Sequence, residues 1–250
     1  ATVEDAYGYS KFARVTLGTN NIDFRSRSHS DEELDFLSTV STNATYKDID
    51  NADHVVLINF EPEDESPIVF LRIYKQVHKR AIKVTSIASL ASRGSEKLNA
   101  NLIKTAPGNE VTAVNSITGL TVKSVVLVGE RAAETQGALS AVAKLVKDSG
   151  AKLGWVPRRA GERGAIAAGA MPNSLPGNRL VSDAAARVDI ATAWAVDSLP
   201  SATGLNTQEI INSDLQAVVI GGVDPMDISP DAKLKLSKKF IVSLEIRQSD

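Results

Sequence analysis

Two stretches of this chain repeat one order of residues, and that order restricts the fold to strands alternating with helices. The first runs Val55-Val56-Leu57-Ile58, then Asn59-Phe60-Glu61-Pro62, and restarts at Ser66-Pro67. The second runs Val218-Val219-Ile220, then Gly221-Gly222-Val223-Asp224-Pro225, and restarts at Ser229-Pro230. A short β-branched run reads as a buried parallel strand. Serine before proline supplies an N-cap oxygen and a first helical residue whose missing N–H costs nothing. Each copy therefore predicts strand, acidic turn and helix start. In open α/β sheets ligands bind outside the carboxyl ends of strands, which is where both turns fall.

The rest of the chain extends the alternation. Thr2 with Asp5 predicts a capped opening helix that carries Ala6, Tyr9, Ala13 and Val15–Leu17 on one face and stops at Gly18. Ser30-Asp31-Glu32-Glu33 reads as a capping box for a second helix to about Val40, and residues 42–51 as a short helical turn or loop. The strand of the first copy is expected over His54–Ile58; after its turn come a helix from Pro67 to about Arg80 and a parallel strand over Ala81–Ile87, a βαβ unit with a right-handed crossover. Residues 89–110 read as polar turns. Ser124–Val128 predicts another strand, Ala132 to about Lys147 a long helix, and Lys152–Val156 a further strand. Residues 157–179 form a loop punctuated by glycine and proline, of a length that is often functional. A helix at Asp183–Ala195, a short one at Thr207–Asn212 and a strand at Phe240–Ile246 complete the pattern. The expectation is an α/β fold with mainly parallel, Rossmann-like sheets flanked by helices, in two halves, residues 1–118 and 119–250. A chain that opens in a helix cap and closes on a strand reads as cut from something longer.

Several chemistries are excluded or unsupported. The sequence has 250 residues, no cysteine and a formal net charge of −2. Disulfides, thiolate nucleophiles and cysteine-held clusters within it are ruled out. The charge balance offers no footprint for nucleic acid or an anionic membrane, and no apolar run approaches spanning length. His29, His54 and His78 stand on separate predicted elements without metal-ligand spacing, and no G-x-S-x-G elbow is present. Gly129-Glu130-Arg131 after a strand offers one glycine where a dinucleotide site needs a series, and reads as a tight turn. Arg158, Arg159, Arg163 and Arg179 read either as an anion-binding cluster or as a solvated loop against a neighbouring domain, with Glu162 offsetting part of the charge. Trp155 and Trp194 read as core or interface anchors.

The ordered segments Glu4-Asp5-Ala6-Tyr7, Leu17-Gly18-Thr19-Asn20-Asn21-Ile22-Asp23, 52–67, Arg163-Gly164-Ala165 with Gly169 and Pro172, and 221–225 carry a family resemblance. The chain resembles the molybdopterin-oxidoreductase-like region of the large iron–sulfur subunit of bacterial NADH:quinone oxidoreductases (complex I). The resemblance implies middle domains of the formate dehydrogenase and DMSO reductase type. It also implies iron–sulfur clusters on an N-terminal flank, other peripheral-arm subunits as partners, and a place at the cytoplasmic face of the bacterial plasma membrane without direct insertion. In catalytic members of the wider superfamily two Gly-x-Asn-Pro loops cradle the dinucleotide arms of a molybdenum cofactor. The matching positions here are Asn59, Phe60, Glu61 and Pro62, and Gly221, Gly222, Asp224 and Pro225. The asparagine has become acidic in both, and the ligating cysteine or selenocysteine is absent, although serine or aspartate can substitute. An ionised carboxylate only accepts hydrogen bonds and repels phosphate. The resemblance thus implies vestigial pterin-dinucleotide loops in a structural region without its own redox centre. The alternative is a fragment of an active molybdenum or tungsten enzyme that binds molybdopterin there. The plainest reading of both turns is a connector from strand to helix.

Overall fold

The computed structural model describes residues 2–27 and 29–246. It falls into two units, His29–Arg159 and the combination of Ala1–Ser28 with Ala160–Asp250. The division is not at 118/119. Strands from both sides of that point pair in one sheet, so backbone hydrogen bonding keeps residues 29–159 together.

The first unit holds five parallel strands: β1 (His54–Ile58), β2 (Lys83–Ala88), β3 (Asn101–Lys104), β4 (Val125–Gly129) and β5 (Lys152–Val156), in the order β3-β2-β1-β4-β5. Val55 pairs with Val84 on one side and Val125 on the other. Every residue of β1 and β4 is buried, as expected of strands with both faces covered. On one face Val55, Leu57, Val84, Val125 and Leu127 pack with Val69, Phe70, Ile73 and Val77 of the helix Pro67–Arg80. That helix ends at Ala81 in the left-handed region. At the amino ends of the strands the Asp53 carboxylate accepts the hydroxyls of Thr121 and Ser124, both at 3.0 Å. Burial pushes its pKa up, but these bonds outweigh that and hold it below the usual range.

Several elements depart from the sequence reading. The residues expected to be turns at 89–110 contain a helix, Arg93–Lys97, capped by Ser92, and the edge strand β3. The helix expected from Ala132 begins at Ala138, because Gly137 sits at φ +87 and a 3-10 turn (Glu130–Glu134) precedes it. Ser30 makes no side-chain cap; the helix Glu32–Thr39 starts after Asp31. Ser66 stands at the N-cap of Pro67–Arg80, but its hydroxyl makes no cap bond.

In the second unit the Thr2–Asp5 capping box starts the helix Val3–Lys11, which continues as a π-helical segment, Phe12–Thr16. The extra residue per turn moves the buried face to Ala6, Ser10, Ala13 and Arg14, leaving Val15 and Leu17 exposed. The long Gly/Pro loop is partly ordered: it contains the helix Glu162–Ala167 and a two-residue hairpin, β6 (Ser174–Leu175) with β7 (Arg179–Leu180). Asp183 caps the helix Ala184–Trp194, whose Ala186, Ile190, Ala191 and Trp194 join Leu175, Val181 and Leu199 in a core. Trp194 donates its indole N–H to Tyr7 Oη at 2.6 Å. The second sequence copy forms β8 (Ala217–Gly221), a 3-10 turn (Pro225–Asp227) and the helix Ala232–Leu236, two residues past the expected Ser-Pro start. The strand β9 (Phe240–Leu244) pairs in parallel with β8. The strand therefore stops two residues before the expected end at Ile246.

Candidate functional site

The strand order of the first unit reverses between β1 and β4, and the carboxyl ends of those strands open into a cleft of about 820 Å³. This is the topological switch point at which open α/β sheets bind ligands. Asn59, Phe60 and Glu61, three residues singled out from sequence, line it. So do Ser86 within β2, Ser89 and Ser92 after it, Gly108 and Glu110 after β3, and Arg131, Glu134 and Thr135 after β4. Asn59 leaves β1 in the left-handed region at φ +47, which asparagine tolerates better than most residues. The same bend brings its carbonyl so near β4 that a Cβ at Gly129 would collide with the oxygen. Close approach, and not a phosphate, accounts for that glycine.

Carboxylates of the chain itself accept backbone N–H groups around this cleft. Glu61 is the N-cap of the short helix Pro62–Glu65 and accepts the Glu63 N–H at 3.1 Å. Its other oxygen accepts the Ser92 hydroxyl, and its carboxylate lies so close to Gly94 that a Cβ there would meet it. Glu65 accepts the Glu61 N–H at 3.2 Å and pairs with Arg131. Burial pushes the Glu65 pKa up, and Arg131 offsets this only in part. Glu110 accepts from Gly108 N–H (2.8 Å), Thr135 hydroxyl (2.8 Å) and Asn59 Nδ2 (3.2 Å). Its burial raises the pKa, but these donors outweigh burial and hold it below the usual range. Arg131 also donates to the Asn59 carbonyl, at 3.3 Å.

The Glu110 bonds set a pH dependence. A carboxyl with a lower pKa folded than unfolded adds stability above its unfolded value and loses it as pH falls through the folded one. The Glu110 contribution is therefore expected to be complete above pH 4.5, its ordinary value, and to disappear below it. Denaturation of the wild type and Glu110→Gln across pH 3–7 checks this: the gap between them should close as the pH falls. A gap independent of pH would show that Glu110 acts through shape alone.

The second sequence copy lies in the other unit. Gly221 ends β8 against Tyr9, whose hydroxyl a Cβ would meet at 2.5 Å, and Gly222 takes φ +67. Asp224 caps the turn at Pro225 by accepting the Met226 N–H at 2.9 Å, and Glu245 accepts the Val223 N–H at 2.9 Å. In both copies, then, carboxylates of the chain itself hold backbone N–H groups of the turn. Arg179 pairs with Asp189 at 2.9 Å in its own unit, while Arg158 in the other donates its backbone N–H to Glu130 at 3.1 Å. Among the described residues no group of three or more His, Asp or Glu side chains is placed to hold a metal ion. His54 is buried, its ring 2.9 Å from the Thr85 hydroxyl, and that burial lowers its pKa.

The molybdopterin oxidoreductase family model matches residues 1–250. The chain belongs to that family. It is 47% identical over 266 aligned positions to the NADH-quinone oxidoreductase G subunit of Mycobacterium tuberculosis, covering 99% of this chain and 33% of the relative. Against the corresponding protein of Streptomyces coelicolor it is 41% identical over 290 positions, covering 100% and 34%. Formate dehydrogenase H of Escherichia coli is 26% identical over 312 positions, covering 97% and 43%. The chain thus spans about a third of the length of its NADH-quinone oxidoreductase relatives. The parallel sheet flanked by helices agrees with the family assignment. Sequence reasoning missed Ser92, Gly94, Glu110 and Thr135. The Ser92–Ser95 capping pattern was legible, but nothing local tells which loops a crossover delivers to one cleft.

Proposed function

We propose that this chain is a structural and interaction region of the large subunit of a bacterial NADH-quinone oxidoreductase. It supports electron transfer from NADH to quinone without carrying a redox centre, the iron–sulfur clusters belonging to an N-terminal flank of the parent. The observation that carries the reading is the capping of both turns by the chain's own carboxylates: Glu61 and Glu65 in one, Asp224 and Glu245 in the other. A pyrophosphate needs backbone and amide donors at such turns. Here those donors have acceptors already, and an incoming phosphate meets like charge. A pterin dinucleotide does not fit these loops, and no chemistry is derived through one. The loops Asn59–Pro62 and Gly221–Pro225 are read as vestigial.

The high identity to NADH-quinone oxidoreductase subunits of two genera supports the assignment, with other peripheral-arm subunits as partners at the cytoplasmic face of the plasma membrane. Among the described residues no helix is long and apolar enough to cross a membrane. A second reading, a fragment of an active molybdenum or tungsten oxidoreductase, draws on the match to formate dehydrogenase H. Elemental and pterin analysis of the gently purified full-length parent separates them. Iron without stoichiometric molybdenum, tungsten or pterin is expected. Stoichiometric metal and pterin would make the two turns working cofactor loops and end the scaffold reading.

The charge argument makes its own prediction. The double variant Glu61→Asn with Asp224→Asn is expected not to bind a pterin dinucleotide in calorimetry, because Glu65 and Glu245 still hold backbone donors. Tight binding by that variant would refute it.

A further inference from the structure

The cleft at the carboxyl ends of β1 and β4 keeps binding groups that its own loops leave unused. Every residue lining it belongs to the His29–Arg159 unit, so the lining comes from one folded body. Four carboxylates stand on it: Glu61, Asp64, Glu110 and Glu134. Glu61 and Glu110 accept from backbone N–H, hydroxyl and amide groups, none of them cationic. Asp64 and Glu134 are exposed and form no hydrogen bond or ion pair among the described residues. The one guanidinium on the lining, that of Arg131, is taken by Glu65 and the Asn59 carbonyl. The floor adds an independent sign. Ser86 is only 5% exposed, lines the cleft, and its hydroxyl makes no hydrogen bond among the described residues. Buried hydroxyls are ordinarily satisfied, so one that borders a cavity points to a ligand's polar group.

We propose that this cleft binds a small aliphatic polyamine, its ammonium groups against the four carboxylates and the Ser86 hydroxyl, its methylenes against Phe60 and Leu90. An ammonium carries donors and no acceptor, which suits a lining whose uncommitted groups accept. An anion meets repulsion there. A neutral ligand would strip water from the carboxylates without compensating their charge. A bare metal ion fits less well, since among the described residues no three acidic side chains converge on one point. Phe60, Leu90 and Pro107 supply apolar surface for a carbon chain, and about 820 Å³ is within the range of small-molecule sites, about 300–1,000 Å³. The polyamine site is independent of the scaffold reading, which concerns pyrophosphate and redox centres.

Calorimetric titration of the full-length parent with spermidine tests this, with inorganic pyrophosphate titrated separately. Saturable uptake of one spermidine per chain is expected, and no uptake of pyrophosphate. Asp64→Asn with Glu134→Gln removes two lining charges that hold nothing in the fold, and should weaken binding roughly tenfold or more. Ser86→Ala should weaken it about three- to tenfold, the effect of one hydrogen bond. Asp197→Asn with Asp214→Asn makes the same charge change at exposed positions of the other unit and should leave the affinity unchanged. Thermal midpoints check that the variants fold. Absence of saturable spermidine binding would overturn the proposal. So would an equal loss in the remote double variant, which points to diffuse attraction, or full affinity in Ser86→Ala, which places the amine outside the cleft. Pyrophosphate binding in place of spermidine would contradict this site and the scaffold reading together, whereas binding of neither ends the polyamine site alone.

Discussion

Replacing Arg14 with methionine is expected to destabilise its unit by about 3–5 kcal/mol, the range for leaving buried polar groups without their charged partner. Arg14 is buried in the π-helical segment, and all its donor groups are used. Nε donates to Asn20 Oδ1 at 2.8 Å, one terminal nitrogen to Ser10 Oγ at 2.7 Å and Gly169 O at 2.9 Å, and the other to Met171 O at 3.0 Å and Ser174 O at 2.6 Å. None of these acceptors is a carboxylate. Burial pulls its pKa down to about 10, so it remains charged at neutral pH and neutral acceptors carry the compensation. One side chain thus ties the opening helix to the stretch from Gly169 to the first hairpin strand, 155 to 160 residues away in sequence. Methionine fills similar volume but strands those carbonyls. Thermal unfolding should show a midpoint lower by roughly 10 °C, at about 2–4 °C per kcal/mol for a chain of this size. Arg14→Lys should recover less than half of the loss, because an ammonium with three donors cannot serve acceptors laid out for a planar fork. A loss under about 1 kcal/mol for Arg14→Met would mean that the carbonyls find other donors, which this network argues against.

The second large effect is expected at Asp23. Its carboxylate forms a buried pair with Arg25 at 2.7 Å, accepts the Arg25 Nε and backbone N–H at 2.9 and 3.0 Å, and accepts the Thr207 N–H at 3.1 Å. Thr207 opens the helix Thr207–Asn212, so the pair fixes where that helix starts. Asp23→Ala removes this carboxylate from the buried Arg25 guanidinium and from the Thr207 N–H, a change expected to cost about 3–5 kcal/mol. The half-exposed pair Arg72–Asp50, at 2.5 Å, is the control: Asp50→Ala should cost no more than about 1 kcal/mol. Denaturant titrations of both variants measure the contrast. Equal losses at the two sites would show that burial does not set the value of these pairs.

Asp23 also marks how far the sequence can be read. The stretch Leu17–Asp23 carries the most specific part of the family resemblance, yet nothing local tells that Asn20 holds Arg14 or that Asp23 holds Arg25 and Thr207. Arg14 itself looks like any helical arginine. Its burial depends on the π-helical turn and on segments brought together from positions far apart, neither of which leaves a periodic signal. The strands are another matter. β1 and β5 are legible to the residue and β4 to within one; in β1 and β4 the signal is a continuous apolar, largely β-branched run, which burial on both faces satisfies. The edge strand β3 escapes, since Asn101-Leu102-Ile103-Lys104 is half exposed and reads as a polar connector.

The sequence alone settled the α/β class, the strand–turn–helix order of both copies, the absence of cysteine chemistry and the acidic character of the two turns. These follow from residue type and spacing along the chain, which act within a few residues. Only the tertiary structure decided the strand order β3-β2-β1-β4-β5, the meeting of Asn59, Ser92, Glu110, Arg131 and Thr135 around one cleft, and the parallel pairing of β8 with β9. Crossovers and buried polar networks join residues tens to more than a hundred positions apart. The energy that selects those neighbours belongs to the assembled sheet and core, and no local window of the chain contains it.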